Sequence, residues 1–382
     1  MKRNVTRIRD LLTLGLFILG PCLFNSPAQG DFLRVDGTNG TCAGNGSGWG
    51  AAAFKYLQDA LAEADPVDQI WVAQGIYFVD QDCLNPDGTG DRESTFQLKP
   101  LVLLLGGFVG NEDAAEQRDP LTHITILSGA VAQGPNPGVC PDTEGCNASD
   151  CPFTPPQDVL DGCCCCRVCD VNPACCTVGW DELCVELATK VCGGAYHVVT
   201  AGAEITDSFT TIIDGFTIQD GTASGGGTNQ DRGGGMLITG QPSVIRCIFT
   251  NNLAGDEGGG VSIVGVGIEP QLINCEFRDN PGSQAGLVIY MTTNGGGLAN
   301  NNATPTLTNC LFANNEVDRF GGAIYNTFGP ACDFDEDCGP LTLINSTLAE
   351  NVANLNGFGN GGGIVNTTPH GVVVVNSILW DN

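Results

Sequence analysis

From Gly233 to residue 382 the chain repeats itself five times. Each unit opens on a glycine cluster: Gly233-Gly234-Gly235, Gly258-Gly259-Gly260, Gly295-Gly296-Gly297, Gly321-Gly322-Ala323 and Gly361-Gly362-Gly363. Each closes on a small residue, then Phe or Leu two places on, then asparagine: Cys247…Phe249…Asn252, Cys275…Phe277…Asn280, Cys310…Phe312…Asn315, Ser346…Leu348…Asn351 and Ser377…Leu379…Asn382. The units span 233–252, 258–280, 295–315, 321–351 and 361–382, and the connectors between them vary in length. Self-similarity at this period means a solenoid, in which each unit buries its apolar side only against its neighbours.

The interior of each unit favours strand. Val261 to Val264, Leu272-Ile273, Thr306-Leu307-Thr308, Leu341 to Ile344 and Val372 to Val375 are short β-branched or apolar runs bounded by Gly, Pro and Asn. Short strands recurring at one length predict an all-β fold, a right-handed single-stranded parallel β-helix with adjacent coils about 4.8 Å apart. Equivalent residues then stack. Phe216, Phe249, Phe277, Phe312, Leu348 and Leu379 are expected to form an internal apolar column. Cys247, Cys275 and Cys310, continued by Ser346 and Ser377, form a second. Asn252, Asn280, Asn315, Asn351 and Asn382 form an amide ladder at a turn, where Asn tolerates left-handed backbone.

The pairing of Gly-Gly-(Ala/Ile) with Phe-x-x-Asn resembles the repeats of polymorphic outer membrane proteins. Gly322-Ala323-Ile324 with Phe312-Ala313-Asn314-Asn315 carries that likeness most clearly. More broadly, the chain looks like right-handed β-helix proteins of the pectin-lyase-like superfamily. Upstream, Trp49 to Ala64, Ile70 to Tyr77, and Gly106 to Glu112 with Arg118-Asp119-Pro120 resemble the opening of large secreted bacterial β-helix proteins. Cys169 to Cys184 looks like a module of secreted planctomycete-type proteins. The resemblance implies a secreted or surface scaffold, or a carbohydrate-active enzyme. Polymorphic outer membrane proteins add a C-terminal barrel that this sequence does not show.

A basic start, the apolar run Leu11 to Phe24 and Ala28-Gln29-Gly30 read as a signal peptide over 1–30. The run is short for a membrane span, so the mature chain is expected to have no transmembrane segment. The formal charge is −28, and the segment after residue 30 holds 11 basic against 42 acidic residues. Such a surface repels phosphate backbones and argues against nucleic acid as a partner. Residues 31–139 are expected to hold an N-terminal cap and the first coils, with Phe54, Leu57, Leu61 and Ala64 on one face of a capping helix ended by Pro66. Twelve of the 20 cysteines fall between Cys140 and Cys192, which in an exported chain reads as a disulfide-stapled insertion over 140–192, with a helix from Trp180 to Cys192. The repeats occupy 193–382. Cys42 is expected to pair with Cys83 and Cys332 with Cys338, leaving Cys247, Cys275 and Cys310 reduced in the core. The last unit has no polar cap after it, and a solenoid hides its ends; the sequence is therefore expected to be truncated at the C-terminus, the alternative being a last coil covered by a partner.

Glycoside hydrolysis needs two carboxylates about the scissile bond. The sequence shows no adjacent Asp-Asp pair and no aspartates at matching positions in successive coils. Arg232, Arg246, Arg278 and Arg319 fall at different repeat positions, and His123, His197 and His370 stand without an adjacent orienting partner, so each is read as structural. Trp71 and Tyr77 are read as core; Tyr290 and Tyr325 lie near the glycine-rich face and could stack on a sugar ring. Asp333, Asp335 and Asp337 alternate in a loop between Cys332 and Cys338 and form a candidate weak Ca²⁺ site, since Ca²⁺ takes oxygen ligands. No cofactor is required. The leading expectation is a secreted or cell-surface scaffold with a structural, adhesive or recognition role, its loops meeting cell-surface or matrix components such as polysaccharide. The alternative is a polysaccharide lyase or glycoside hydrolase.

Overall fold

A computed structural model describes residues 30–131, 194–225, 227–281, 294–327, 339–353, 359–369 and 371–382. Every strand pairing within it is parallel, and three long sheets run the length of the molecule with nine, eight and seven strands. One coil is one pass through all three. Ser243–Ile245 lies in the nine-stranded sheet, Ile248–Thr250 in the eight-stranded sheet and Val261–Val264 in the seven-stranded sheet; the chain then returns to the first sheet at Gln271–Ile273. This is an all-β parallel solenoid.

The pairing register tests the columns directly. Phe249 pairs with Phe277, Phe277 with Phe312, Phe312 with Leu348 and Leu348 with Leu379. The phenylalanine rings stack face to face, with centroids 5.1 Å and 4.4 Å apart and planes within 9°. Phe216 is the exception. Ile218, not Phe216, pairs with Phe249; Phe216 heads the cysteine column instead, because the N–H of Ile248 bonds to its carbonyl as that of Glu276 bonds to Cys247. The slip is two residues, so the side chain still points inward and stays buried. Below it Cys247, Cys275 and Cys310 are free and buried. Each thiol donates to carbonyls of its own turn and the preceding coil, as Cys275 does to Val244 at 3.3 Å. Burial pushes the Cys247 thiol up to about 12, which keeps it protonated and inert.

The asparagine ladder is continuous. Asn280 Oδ1 accepts from the N–H and the Nδ2 of Asn252 at 3.1 and 3.3 Å, and Asn280 Nδ2 donates to Phe249 O and to Asn315 Oδ1. The same pattern carries through Asn315, Asn351 and Asn382. The left-handed turn, however, belongs to the residue before each rung: Asn251, Asp279, Asn314, Glu350 and Asp381 have φ between 46° and 57°. The ladder residues keep ordinary backbone and spend their amides inward. A second amide stack, Asn300, Asn326 and Asn366, replaces Ile238 and Ile263 in an inward column of the seven-stranded sheet, with rungs of 2.7 Å.

At the N-terminal end a helix, Leu57–Glu63, buries Leu57, Ala60 and Leu61 in the main core. It is shorter than its sequence pattern implied: Phe54 lies outside it, bridging Val35 and Thr41, after a single 3₁₀ turn at Gly50–Ala52. Cys42 and Cys83 form a disulfide. Tyr77 joins the core. Trp71 is buried but on the other side of its sheet, in an outer cluster with Phe108, Leu105 and Trp49. Among the described residues no helix is long and apolar enough to cross a membrane. The insertion over 140–192, its helix, and Cys332 with Cys338 lie outside the described residues.

Candidate functional site at the glycine-turn edge

The chain passes from the eight-stranded to the seven-stranded sheet through the glycine clusters, and the segments there vary most in length. The first glycine of each cluster is left-handed, Gly258 at φ 73° for example, a conformation that suits a residue without a Cβ. The middle glycine sits under the neighbouring backbone: a Cβ on Gly234 would lie 2.2 Å from Leu253 O. The turn itself lies against the start of the seven-stranded sheet, where a Cβ on Gly258 would meet Val261 O at 2.3 Å and Ser262 Cα at 3.0 Å, and it carries the preceding residues along that edge.

The residues so placed stack in register. Arg232 bridges to Glu257, Glu257 to Asn294, and Phe320 to Asn360. One position earlier, Asp231 and Asp256 occupy equivalent places in successive coils, joined by the bond from Asp256 N–H to Asp231 O. This corrects the expectation that no aspartates match between coils. Arg232 serves three carboxylates: Asp256 at 2.8 Å, Glu257 at 3.0 Å and Asp231 at 3.7 Å. Burial raises the Glu257 carboxyl; Arg232 opposes the rise and Asp256 adds to it. Ser262 Oγ and Asn294 Oδ1 are buried without a hydrogen-bond partner. Beyond them Phe320 and Tyr325 stack at 6.2 Å, with the Arg319 guanidinium 6.0 Å from the Phe320 ring. Tyr325 pairs with Ala299 and Ala299 with Ser262, so the aromatic pair lies two coil spacings, about 10 Å, from the acid cluster.

Chemically this edge offers more acceptors than donors beside an aromatic face. It suits a partner rich in hydroxyl or ammonium donors, with the rings as an apolar platform. Asp318, on the same side of the coil, is buried with Oδ1 unpartnered, and burial pushes its carboxyl up to about 6. Between the ordinary value of 3.8 and about 6 the folded state holds the proton more tightly, so stability falls as pH rises through that window. Asp318→Asn is therefore expected to stabilise the protein by about 2 kcal/mol at pH 8 and to have little effect near pH 4, read from urea unfolding at the two pH values.

The other sequence candidates scatter. Arg246 and Arg118 both bind Asp214, tying the loop after Phe108 to the coil corner. Arg278 lies beside Glu276 and Asp279 on the surface. His123 sits 3.3 Å from Gln74 Oε1. His197 is largely buried against Gly233 O, and burial lowers its pKa, so it is neutral near pH 7. Asp333, Asp335, Asp337, Tyr290 and His370 lie outside the described residues. The Asp231/Asp256 match was visible as Asp-Arg-Gly-Gly-Gly against Asp-Glu-Gly-Gly-Gly; counting units from the first glycine hid it. No protein-family model, no curated protein and no solved structure matches the chain.

Proposed function

We propose that this chain is an exported right-handed β-helix of the pectin-lyase-like kind whose work is recognition, a stiff stalk that holds variable segments along one edge. The observation that carries the reading is register. The nine-stranded sheet pairs without a missing strand from Phe32–Val35 to Val372–Val375, while segment length changes chiefly at the glycine-turn edge. A scaffold with a constant body and variable loops at one edge is how binding specificity is usually mounted. The Cys42–Cys83 disulfide supports export, since such bonds persist in oxidising compartments. On this reading the partner is a cell-surface or matrix component, polysaccharide included.

Carbohydrate-active chemistry is the second reading, favoured by Glu257 with its raised carboxyl beside Arg232 and Asp256. A screen on acidic and neutral polysaccharides, following unsaturated-product absorbance and reducing ends, separates the two. The scaffold reading expects retention on immobilised glycan or whole cells and no product release. Product release that disappears in Glu257→Gln would replace it with the enzyme.

A further inference from the structure

The capping helix covers the three sheets unequally, and reaches the eight-stranded sheet at its end, where Gln58 Nε2 donates to Val79 O. It packs against Phe32–Val35 and Gln69–Ala73 of the nine-stranded sheet and against Phe96–Gln97 at the end of the seven-stranded sheet. The eight-stranded sheet ends in Gly75–Phe78, whose single strand neighbour is Thr125–Ser128. Gly75 N–H bonds to Ile124 O at 3.1 Å and Val79 N–H to Ser128 O at 3.4 Å. In parallel pairing, alternate residues use both backbone groups on one side. Residues 75, 77 and 79 thus face the paired strand, and Ile76 and Phe78 direct theirs to the open side, where Gln81 N–H takes the Phe78 carbonyl at 3.4 Å and leaves the Ile76 groups and the Phe78 N–H for an added strand. Ile76 is 54% exposed. Beside it lies a groove of about 250 Å³, lined by Ile76, Tyr77 and Phe78 of the strand, by Gln81 after it, and by Gly37 and the Lys55–Leu57 segment.

We propose that this groove takes an extended peptide as an added strand, hydrogen-bonded to the Ile76–Phe78 edge, with an acidic side chain beside Lys55. An unpaired edge is a template for another strand. Lys55 is the one charged residue lining the groove, and its ammonium sits 5.4 Å from the Tyr56 ring centroid. Asp36, next to Gly37, is taken up by the N–H groups of Thr38 and Asn39, and Asp59 by that of Cys83. The proposal is independent of the function assigned to the glycine-turn edge.

Fluorescence polarisation with the chain from residue 31 onward, disulfide intact, tests it. The probe is labelled acetyl-Thr-Val-Asp-Val-Thr-amide. Saturable binding is expected, weakened about fivefold or more when the central Asp is replaced by Lys, with that preference reversed in Lys55→Glu. N-methylation of one alternate set of peptide amides should weaken binding about tenfold and the other set hardly at all, a pattern that needs no protein variant. Ile76→Pro, which removes a donor the sheet does not use, should match the damaging set. Absence of binding at millimolar peptide, equal effects of the two methylated sets, or displacement of the probe by oligogalacturonate with no phase dependence would each overturn the proposal.

Discussion

Asn280→Ala is expected to destabilise the central coils by about 3–4 kcal/mol. The Asn280 side chain is fully buried. Its removal strips partners from the N–H and Nδ2 of Asn252 and from Phe249 O, and alanine brings no group to replace them. An orphaned buried polar group costs about 1–3 kcal/mol; the Asn252 N–H is orphaned outright, while Asn252 Nδ2 loses one of two acceptors and keeps Ile218 O at 2.9 Å. Asn280→Asp should be no milder, because it keeps the acceptor, loses the donor and buries a charge. Because each coil contacts only its neighbours, the loss is local. Amide exchange is expected to quicken across 243–254 and 271–280 and to stay slow in the coils before Phe108. Uniform protection after the substitution would show that the ladder is an ornament of the turn and not a source of its stability.

The second large effect is in the ring stack. Phe277→Ala removes a fully buried side chain held between two parallel rings, at 5.1 Å and 4.4 Å. Large-to-small changes of this kind cost about 3–5 kcal/mol, from lost transfer energy and the cavity left behind. Phe277→Leu should cost about 1–1.5 kcal/mol, since Leu348 fills the equivalent place two coils on. Denaturant midpoints that rank alanine no worse than leucine would mean the rings are not closely packed.

What was legible in the sequence was whatever each coil states again. Phe249, Phe277 and Phe312 recur at one place, as do Cys247, Cys275 and Cys310, and stacking turns recurrence into contact. Phe216 sits two places off because its coil carries Gly215 and Phe216 where the next three carry Arg or Asn followed by Cys; alignment on the ring alone shifts it by two, and parity conceals the slip. The stack of Asn300, Asn326 and Asn366 escaped notice because Ile238 and Ile263 hold the same column in earlier coils. Trp71 illustrates a different limit. A strand covered on both faces reads as a continuous apolar run, and alternation then fails to say which side is which. At the candidate site, Arg232 and Tyr325 were noticed singly, but what joins Arg232 to Asp256 and Glu257 is adjacency between coils. The open edge at Ile76 depends on which strands a short helix happens to cover, and nothing in a periodic pattern states that.

The amide ladder has a sense of direction. At Asn280, Asn315 and Asn351 alike, the oxygen accepts from the coil before, while the NH₂ donates forward to the next rung's oxygen and back to a carbonyl of the preceding coil. Any full circuit can therefore be excised or duplicated between equivalent rungs without stranding a donor or an acceptor, whereas a fractional circuit breaks the chain of bonds at once. Molecules built this way change length in whole steps, like a stack of identical cups, and the reach of their glycine-turn edge is counted in integers.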